Sequence, residues 1–413
     1  MKTVIFSHAH PVFSKGGGEL AAYYLWQGLN RQPGHEAWFI GRGQPEVMHK
    51  FTTLGAIGER DYLVAGNAGI PDLTATTPLG TDSDLARLLA EIQPDIVHFH
   101  HYVHLGIELI RLVRRACPGA RIVMTLHEYI AICMHNGQMV KTDGRLCHSY
   151  SPRECHLCYP HLRPEEFFLR EQYIKSFFRL VDRFISPSQF LMDRYVAWGI
   201  EPERIEVLEN GLPEGERVPL RPLHNGDIRG RFAYFGQINP YKGVDVILEA
   251  FARLPKSVRK QVTLDIFGSS LSSQSPEFQE RVHALLKKLK DTVRLHGPYE
   301  PEELGRLMVE VDWVVMGSVW WENSPLVIQE AYKFGRPIIC PDIGGMAEKV
   351  RPGAGGLHFR ARDSVSLSAV INRVVEEPGL FDRLYETLPG YPAIGEVTAR
   401  HVELYENLMT EVD

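Results

Sequence analysis

Two glutamates, Glu322 and Glu330, stand with seven residues between them in the stretch VWWENSPLVIQEAYKFGRPIICPDIGG, residues 319–345. Ser324-Pro325 lies between them and reads as a helix start. Serine suits the N-cap, where its oxygen accepts from a free backbone N–H, and proline suits the first helical position. Gly335 then ends the helix, and Arg336–Cys340 reads as a strand. The amides of Leu326, Val327 and Ile328 would be unpaired at the helix start, and with the helix dipole they form a site for phosphate. Glu330, one turn in, can accept two hydrogen bonds from a vicinal diol such as a ribose. Glu322, ahead of the helix, could reach hydroxyls beyond the phosphates. Diols at both ends with phosphate between them describe a nucleotide sugar. The competing reading is a capped core helix with two solvated acids.

Other residues add to this pattern. Lys242 precedes a helix start and is placed to meet a diphosphate, with Gly243 allowing close approach. Gly16-Gly17-Gly18-Glu19 follows a short apolar run, Thr3–Ser7, and precedes a helical pattern over Leu20–Leu29. Strand, glycine loop and helix together bring backbone amides close to a phosphate, though an ordinary tight turn reads the same way. Histidines end two strand-like runs, in His98-Phe99-His100-His101 and in Leu126-His127-Glu128. Cys133, Cys147, Cys155 and Cys158 follow the pattern C-x13-C-x7-C-x2-C within a loop over 130–160. Four thiolates could hold a structural zinc with no open position for catalysis. Buried free thiols or a labile disulfide are the alternatives. Asp82-Ser83-Asp84 opens a helix and reads as capping, not as a metal motif.

These residues need a scaffold, and strand–helix alternation supplies one. Strands are expected at Glu36–Ile40, Asp95–Phe99, Arg121–Leu126, Arg183–Ser186 and Arg204–Leu208, with helices at Asp84–Ile92 and Leu105–Arg115 among them. Further strands are expected at Arg231–Phe235, Val262–Phe267, Thr292–His296 and Asp312–Met316. The pattern implies α/β architecture, parallel sheets covered by helices, with ligands beyond the strand C-termini. At 413 residues, two domains are expected. The first would be 1–212. A Pro-, Gly- and charge-rich linker would span 213–230, and the second domain 231–395. A helix at 396–413 would pack back on the first. Net charge of −6 argues against a nucleic-acid binder. Met1-Lys2 leads directly into TVIFSH, so no signal peptide is expected and the cytoplasm is the expected compartment. Glu165–Arg183 mixes four phenylalanines with basic residues. It reads either as a core helix or as a peripheral contact with the inner face of a membrane.

The stretch around Glu322 and Glu330 resembles the Glu-x7-Glu region of retaining glycosyltransferases of family 4, also called group 1. Gly16-Gly17, His127, Lys242-Gly243 and Gly344-Gly345 with Glu348 match that family's motifs in the same order. The resemblance implies the GT-B fold, two facing Rossmann-like domains with an active site in their cleft. It implies transfer of a sugar from a nucleoside-diphosphate sugar to an acceptor hydroxyl with retained configuration. Catalysis would fall to His127, Glu322 and Lys242. Lys242 and the Leu326 and Val327 amides would hold the diphosphate, Glu330 the ribose, and Glu322 the sugar hydroxyls. His127 would lie beside the donor sugar, the Gly16-Gly17 loop would face the phosphates, and the loop bearing Tyr299 would meet the base through its backbone. His100 or His101 would line the acceptor side. Gln237 stands where the family has an arginine on the diphosphate, and Glu128 where aspartate is commoner. No cofactor is required on this reading, since Lys242 and the helix start replace a metal. The acceptor would be a glycan, a glycolipid or a small glycoside, as in polysaccharide biosynthesis. The alternatives are a non-catalytic nucleotide-sugar-binding protein, a nucleotide-sugar epimerase, or a glycoside hydrolase using the acid pair.

Overall fold

The computed structural model describes residues 1–48, 53–66, 74–75, 79–224 and 226–411. The chain divides into two units, Met1–Pro213 with Pro392–Asp413, and Glu214–Tyr391.

The first unit is built on β1 (Lys2–Ser7), β2 (Glu36–Arg42), β3 (Leu54–Gly58), β4 (Asp61–Val64), β5 (Ile96–Phe99), β6 (Arg121–Thr125), β7 (Arg183–Ser186) and β8 (Ile205–Val207). They form one sheet in the order β3-β4-β2-β1-β5-β6-β7-β8. Every pairing is parallel except β3 with β4. A parallel sheet covered on both faces needs strands that are apolar throughout, which is why β1, β5 and β6 read as continuous apolar runs. The order of strands reverses at β1, with β2 on one side and β5 on the other. Such a reversal leaves a crevice at the strand C-termini. His8, His100 and His127 follow β1, β5 and β6 there. The helix Asp84–Ile92 is capped by Ser83, whose hydroxyl accepts from the Ala86 amide at 3.2 Å.

The helix Ile394–Thr410 belongs to this first unit. Its Leu404, Tyr405 and Leu408 share a core cluster with Ile5, Ala22, Leu25 and Leu29. It packs closely on the helix Gly17–Arg31: a Cβ on Gly28 would stand 2.1 Å from Thr398 Oγ1.

The second unit carries β9 (Arg231–Phe235), β10 (Thr263–Phe267), β11 (Val293–Gly297), β12 (Trp313–Val315), β13 (Ile338–Pro341), β14 (Arg351–Pro352) and β15 (Gly355–Phe359). Their order is β11-β10-β9-β12-β13-β15-β14, so this sheet reverses at β9. The stretch expected as a linker is tied into this unit. Asp312 is fully buried and accepts from Arg221 at 2.8 Å and Arg229 at 3.2 Å. Arg336, also fully buried, donates to the carbonyls of Val218 and Pro219 as well as those of Met308 and Val311. A buried guanidinium needs such partners for each N–H. Composition alone reads this segment as loose because the partners lie about a hundred residues downstream.

No helix among the described residues is long and apolar enough to cross a membrane. The helix Pro164–Phe178 buries Phe167, Phe177 and Phe178, while Phe168 is exposed. Its Arg170 is spent on the Ile130 and Ala131 carbonyls, and Lys175 on Glu171.

Candidate functional site

In the second unit the candidate residues gather at the C-terminal ends of β9 and β12, the point where the sheet reverses. After β9, the Asn239 side chain accepts from the Tyr241 and Lys242 amides, each at 3.0 Å, and so folds the turn that presents Lys242. Gly243 closes this turn at φ +65°, and a Cβ there would stand 1.9 Å from the Gly317 carbonyl oxygen. Glycine is required at that position on both counts. After β12, Glu322 is buried, and one oxygen, Oε1, collects three donors. Lys242 Nζ lies at 2.6 Å, Ser318 Oγ at 2.8 Å and Trp320 Nε1 at 2.9 Å. Lys242 Nζ also lies 5.5 Å from the Trp320 ring centroid. Ser318 and Trp320 carry no signal in the sequence, where nothing marks a serine or tryptophan as a carboxylate's partner.

The helix between the two glutamates begins one residue later than its sequence suggests. It spans Leu326–Lys333, with Pro325 in the N-cap position and no side-chain cap. Pro325 keeps an extended ψ of 120°, so Leu326 becomes the first helical residue and the Ser324 hydroxyl is not used as a cap. Ser324 Oγ is instead buried without a hydrogen-bond partner among the described residues. Ile328 N–H reaches the Pro325 carbonyl at 3.1 Å, which leaves the Leu326 and Val327 amides in the turn where helices have no internal acceptor. Burial pushes the Glu330 carboxyl up to about 7, with Lys333 opposing the shift. Tyr299 lies within its electrostatic reach, its phenol raised by burial first and by Glu330 second. The loop holding Glu322 is clamped by Gly344-Gly345: the Gly345 amide donates to the Glu322 carbonyl at 2.7 Å. A Cβ on Gly345 would stand 1.6 Å from the Asn323 carbonyl oxygen.

In the first unit the candidates gather at the ends of β1, β5 and β6. His100 Nδ1 lies 2.9 Å from His127 Nε2. His101 Nδ1 accepts from the Tyr102 and Val103 amides at 3.0 Å each, so a neutral His101 carries its proton on Nε2, 3.2 Å from Glu128 Oε1. His8 Nε2 lies 3.5 Å from Glu19 Oε1, which also accepts from Ser14 Oγ at 2.6 Å. Burial holds His8 and His101 down to about 4 and His127 to about 3, and it pushes Glu128 up to about 8. Gly16 is the N-cap of the helix Gly17–Arg31. A Cβ on Gly16 would stand 2.5 Å from Glu19 Oε2, the tip of a side chain in the helix that Gly16 caps. The third glycine, Gly18, packs against the His127 ring, its Cβ position 3.5 Å from His127 Cγ.

Two family models match the chain. "Glycosyltransferase Family 4" matches residues 15–215, and "Glycosyl transferases group 1" matches residues 227–388. The chain belongs to the family 4, group 1 glycosyltransferases. Among curated relatives, a D-inositol 3-phosphate glycosyltransferase of Streptomyces griseus is 28% identical over 179 residues, 42% of this chain and 35% of that protein. A glycogen synthase of Mycobacterium tuberculosis is 26% identical over 324 residues, 78% of this chain and 68% of that one. The chain thus spans about a third of the first relative's length. Among solved structures, Anabaena HepE in complex with UDP and glucose superposes with a TM-score of 0.63 at 16% identity, over 98% of this chain and 100% of that one. The fold is GT-B, two α/β units on parallel sheets.

Two positions in this family 4 chain stand apart from expectation. Gln237, in place of the family's arginine, is exposed, and its Oε1 accepts from Asn239 Nδ2 at 3.3 Å. It thereby supports the residue that folds the Lys242 turn. The four cysteines read as a possible zinc site do not converge as a ligand set among the described residues. Among the described residues no disulfide joins Cys133, Cys147, Cys155 or Cys158. Among the described residues no group of three or more His, Cys, Asp or Glu side chains is placed to hold a metal ion. Cys155 and Cys158 share a short helix, Pro152–Cys158, while Cys147 Sγ turns to the Ser149 carbonyl at 3.3 Å. Burial, and after it the neighbouring sulfurs Cys133 and Cys147, push the Cys155 thiol up to about 12.

Proposed function

We propose that this protein transfers a sugar from a nucleoside-diphosphate sugar to an acceptor hydroxyl, retaining the anomeric configuration. The observation that carries this reading is the cluster in the second unit: Lys242 on Glu322, the open amides of Leu326 and Val327, the unpartnered Ser324 hydroxyl, and Glu330 one turn further on. Lys242 and the helix start supply positive charge to the diphosphate, with about half a charge from the helix dipole. Glu330 takes the ribose diol, and Glu322 faces the sugar hydroxyls. Because Glu322 Oε1 already accepts three hydrogen bonds, it is a poor nucleophile toward the anomeric carbon. The leaving phosphate oxygen then takes the acceptor's proton on the same face, and catalysis rests on orientation and charge stabilisation.

His127, neutral at physiological pH, serves the transferred sugar as a hydrogen-bond donor, with Gly16 and Gly17 in the adjoining loop. Lys242 and the helix start do the work of a divalent cation, so no metal is required. The acceptor is a glycan, glycolipid or small glycoside, and the setting is polysaccharide or glycolipid synthesis at the cytoplasmic side. UDP-sugars are the first donors to test, since HepE is seen with UDP and glucose.

The test is calorimetric titration with UDP, GDP and ADP, with and without EDTA, followed by product analysis on simple glycosides. Binding of one nucleotide unaffected by EDTA, and an α-linked product from an α-linked donor, are expected. Glu322→Ala and Glu330→Ala should each abolish or sharply reduce transfer, and wild-type rates in both would overturn the assignment.

A further inference from the structure

The first unit holds a buried row of imidazoles behind His127. His98 Nδ1 lies 2.6 Å from Tyr405 Oη, and His98 Nε2 lies 2.7 Å from Thr125 Oγ1. With both nitrogens held, the His98 ring is fixed. It lies against His100 with centroids 4.4 Å apart and the rings tilted by 39°, and the His100 ring stacks on His127 at 5.1 Å. Tyr405 comes from the helix Ile394–Thr410, so the last helix of the chain anchors the row.

We propose that His100 is a positioning residue that holds His127 as the tautomer protonated on Nδ1. The inference rests on the reading above, in which His127 serves the transferred sugar. A separation of 2.9 Å between His100 Nδ1 and His127 Nε2 is a hydrogen bond, and one proton lies in it. If His127 supplied that proton, a neutral His100 would carry its own on Nε2. That atom is buried with no hydrogen-bond partner among the described residues. An orphaned buried N–H is rarer than an orphaned acceptor. With the proton on His100 Nδ1 instead, Nε2 is a bare lone pair and no buried donor is stranded. His127 then accepts at Nε2 and is protonated on Nδ1. Burial acts in the same direction by lowering the pKa of His98, His100 and His127, which keeps each ring neutral and the tautomer meaningful. The arrangement explains why His100 and His127, at the ends of neighbouring parallel strands, are both histidine. One is the donor that orients the other.

Two variants separate this role from packing. In His100→Asn, the side-chain amide N–H falls near the position of Nδ1–H. In His100→Phe the volume is kept and the donor is lost. Nitrogen-15 histidine NMR on the whole protein should show His127 as the Nδ1–H tautomer in the wild type and in His100→Asn. In His100→Phe it should show a shift toward Nε2–H. With an active donor–acceptor pair, kcat should fall roughly 10- to 100-fold in His100→Phe, the loss of one oriented hydrogen bond. The donor KM should stay within about twofold, and His100→Asn should recover most of the rate. An Nε2–H tautomer of His127 in the wild type would overturn the proposal. So would equal rates in the two variants. A wild type that transfers no sugar would instead overturn the functional reading, and the NMR result would then decide the role of His100 without it.

Discussion

Glu322 and Glu330 are one residue type in one short stretch, and their surroundings give them different chemistry. Glu322 is buried, with an ammonium, a hydroxyl and an indole on a single oxygen. Glu330 has no such partners among the described residues, and burial lifts it to about 7 against the opposing effect of Lys333. A carboxyl with that value is half protonated near neutrality, and only its ionised form accepts two hydrogen bonds from a diol. Nucleotide affinity should therefore weaken as pH falls from 8 to 6. Glu330→Gln should bind UDP roughly tenfold more weakly at pH 8, about the worth of one charge-assisted hydrogen bond. It should also lose the part of the pH dependence that belongs to Glu330. Titration calorimetry of both proteins across this range checks it, since the phosphate's own ionisation is common to both. The two acids and Lys242 were legible from residue type and spacing. The other partners of Glu322 were not, because nothing in residue type or spacing marks Ser318 and Trp320 as donors to a carboxylate.

At the scale of elements, the site depends on how closely loops can approach. The Glu322 loop rests directly on the start of the helix Gly344–Lys349, and Gly344 there has φ +60°. A Cβ on Gly345 would meet the backbone oxygens of Asn323 at 1.6 Å and Glu322 at 2.9 Å. Backbone cannot swing aside as a side-chain tip can. Gly345→Ala should therefore destabilise the second unit by about 1–3 kcal/mol, typical of overpacking. For a unit of this size each kcal/mol lowers Tm by about 2–4 °C. The same substitution should weaken nucleotide binding by moving Glu322 and the helix start. Gly390→Ala is the control, since nothing lies within 4 Å of its Cβ position. A thermal melt in which both variants match the wild type would refute the clamp.

The central strands were readable from the sequence because both their faces are buried: Arg183–Ser186 and Arg231–Phe235 fall where their apolar runs lie. The edge pair β3 and β4 was not, since Leu54–Gly58 is short, holds two glycines and is mostly exposed. The helix start at Leu326 was displaced by one residue because serine before proline reads as a cap, whereas the ψ of Pro325 decides the matter.

Over the whole molecule, the two units carry buried titratable groups whose linkage to folding runs in opposite directions. In the first unit His8, His101 and His401 are held at about 4 and His127 at about 3, against an ordinary value of 6.5. His98 and His100 are lowered as well. Below about pH 6.5 the unfolded chain binds protons that the folded unit refuses, so stability falls as pH falls. Glu128 opposes this. Raised from 4.5 to about 8, it contributes stability that is present below pH 4.5 and lost as pH rises through 8. One carboxyl is outweighed by six imidazoles. Each fully titrating histidine is worth up to ~1.4 kcal/mol per pH unit. In the second unit Glu330, raised from 4.5 to about 7, and Asp245, also raised by burial, favour the folded state at lower pH, with His358 opposing them. Acidification from pH 7.5 to 5.5 should therefore lower the melting transition of the first unit by about 5–15 °C and leave that of the second unchanged or higher. Calorimetric melts with and without UDP assign the transitions, since a ligand held by the second unit raises that unit's Tm by mass action. Two transitions that shift together with pH would mean that the histidine row does not govern the first unit's stability. A first transition that holds at pH 5.5 would mean that these rings are open to protons while folded, and His127 could not then be a neutral donor.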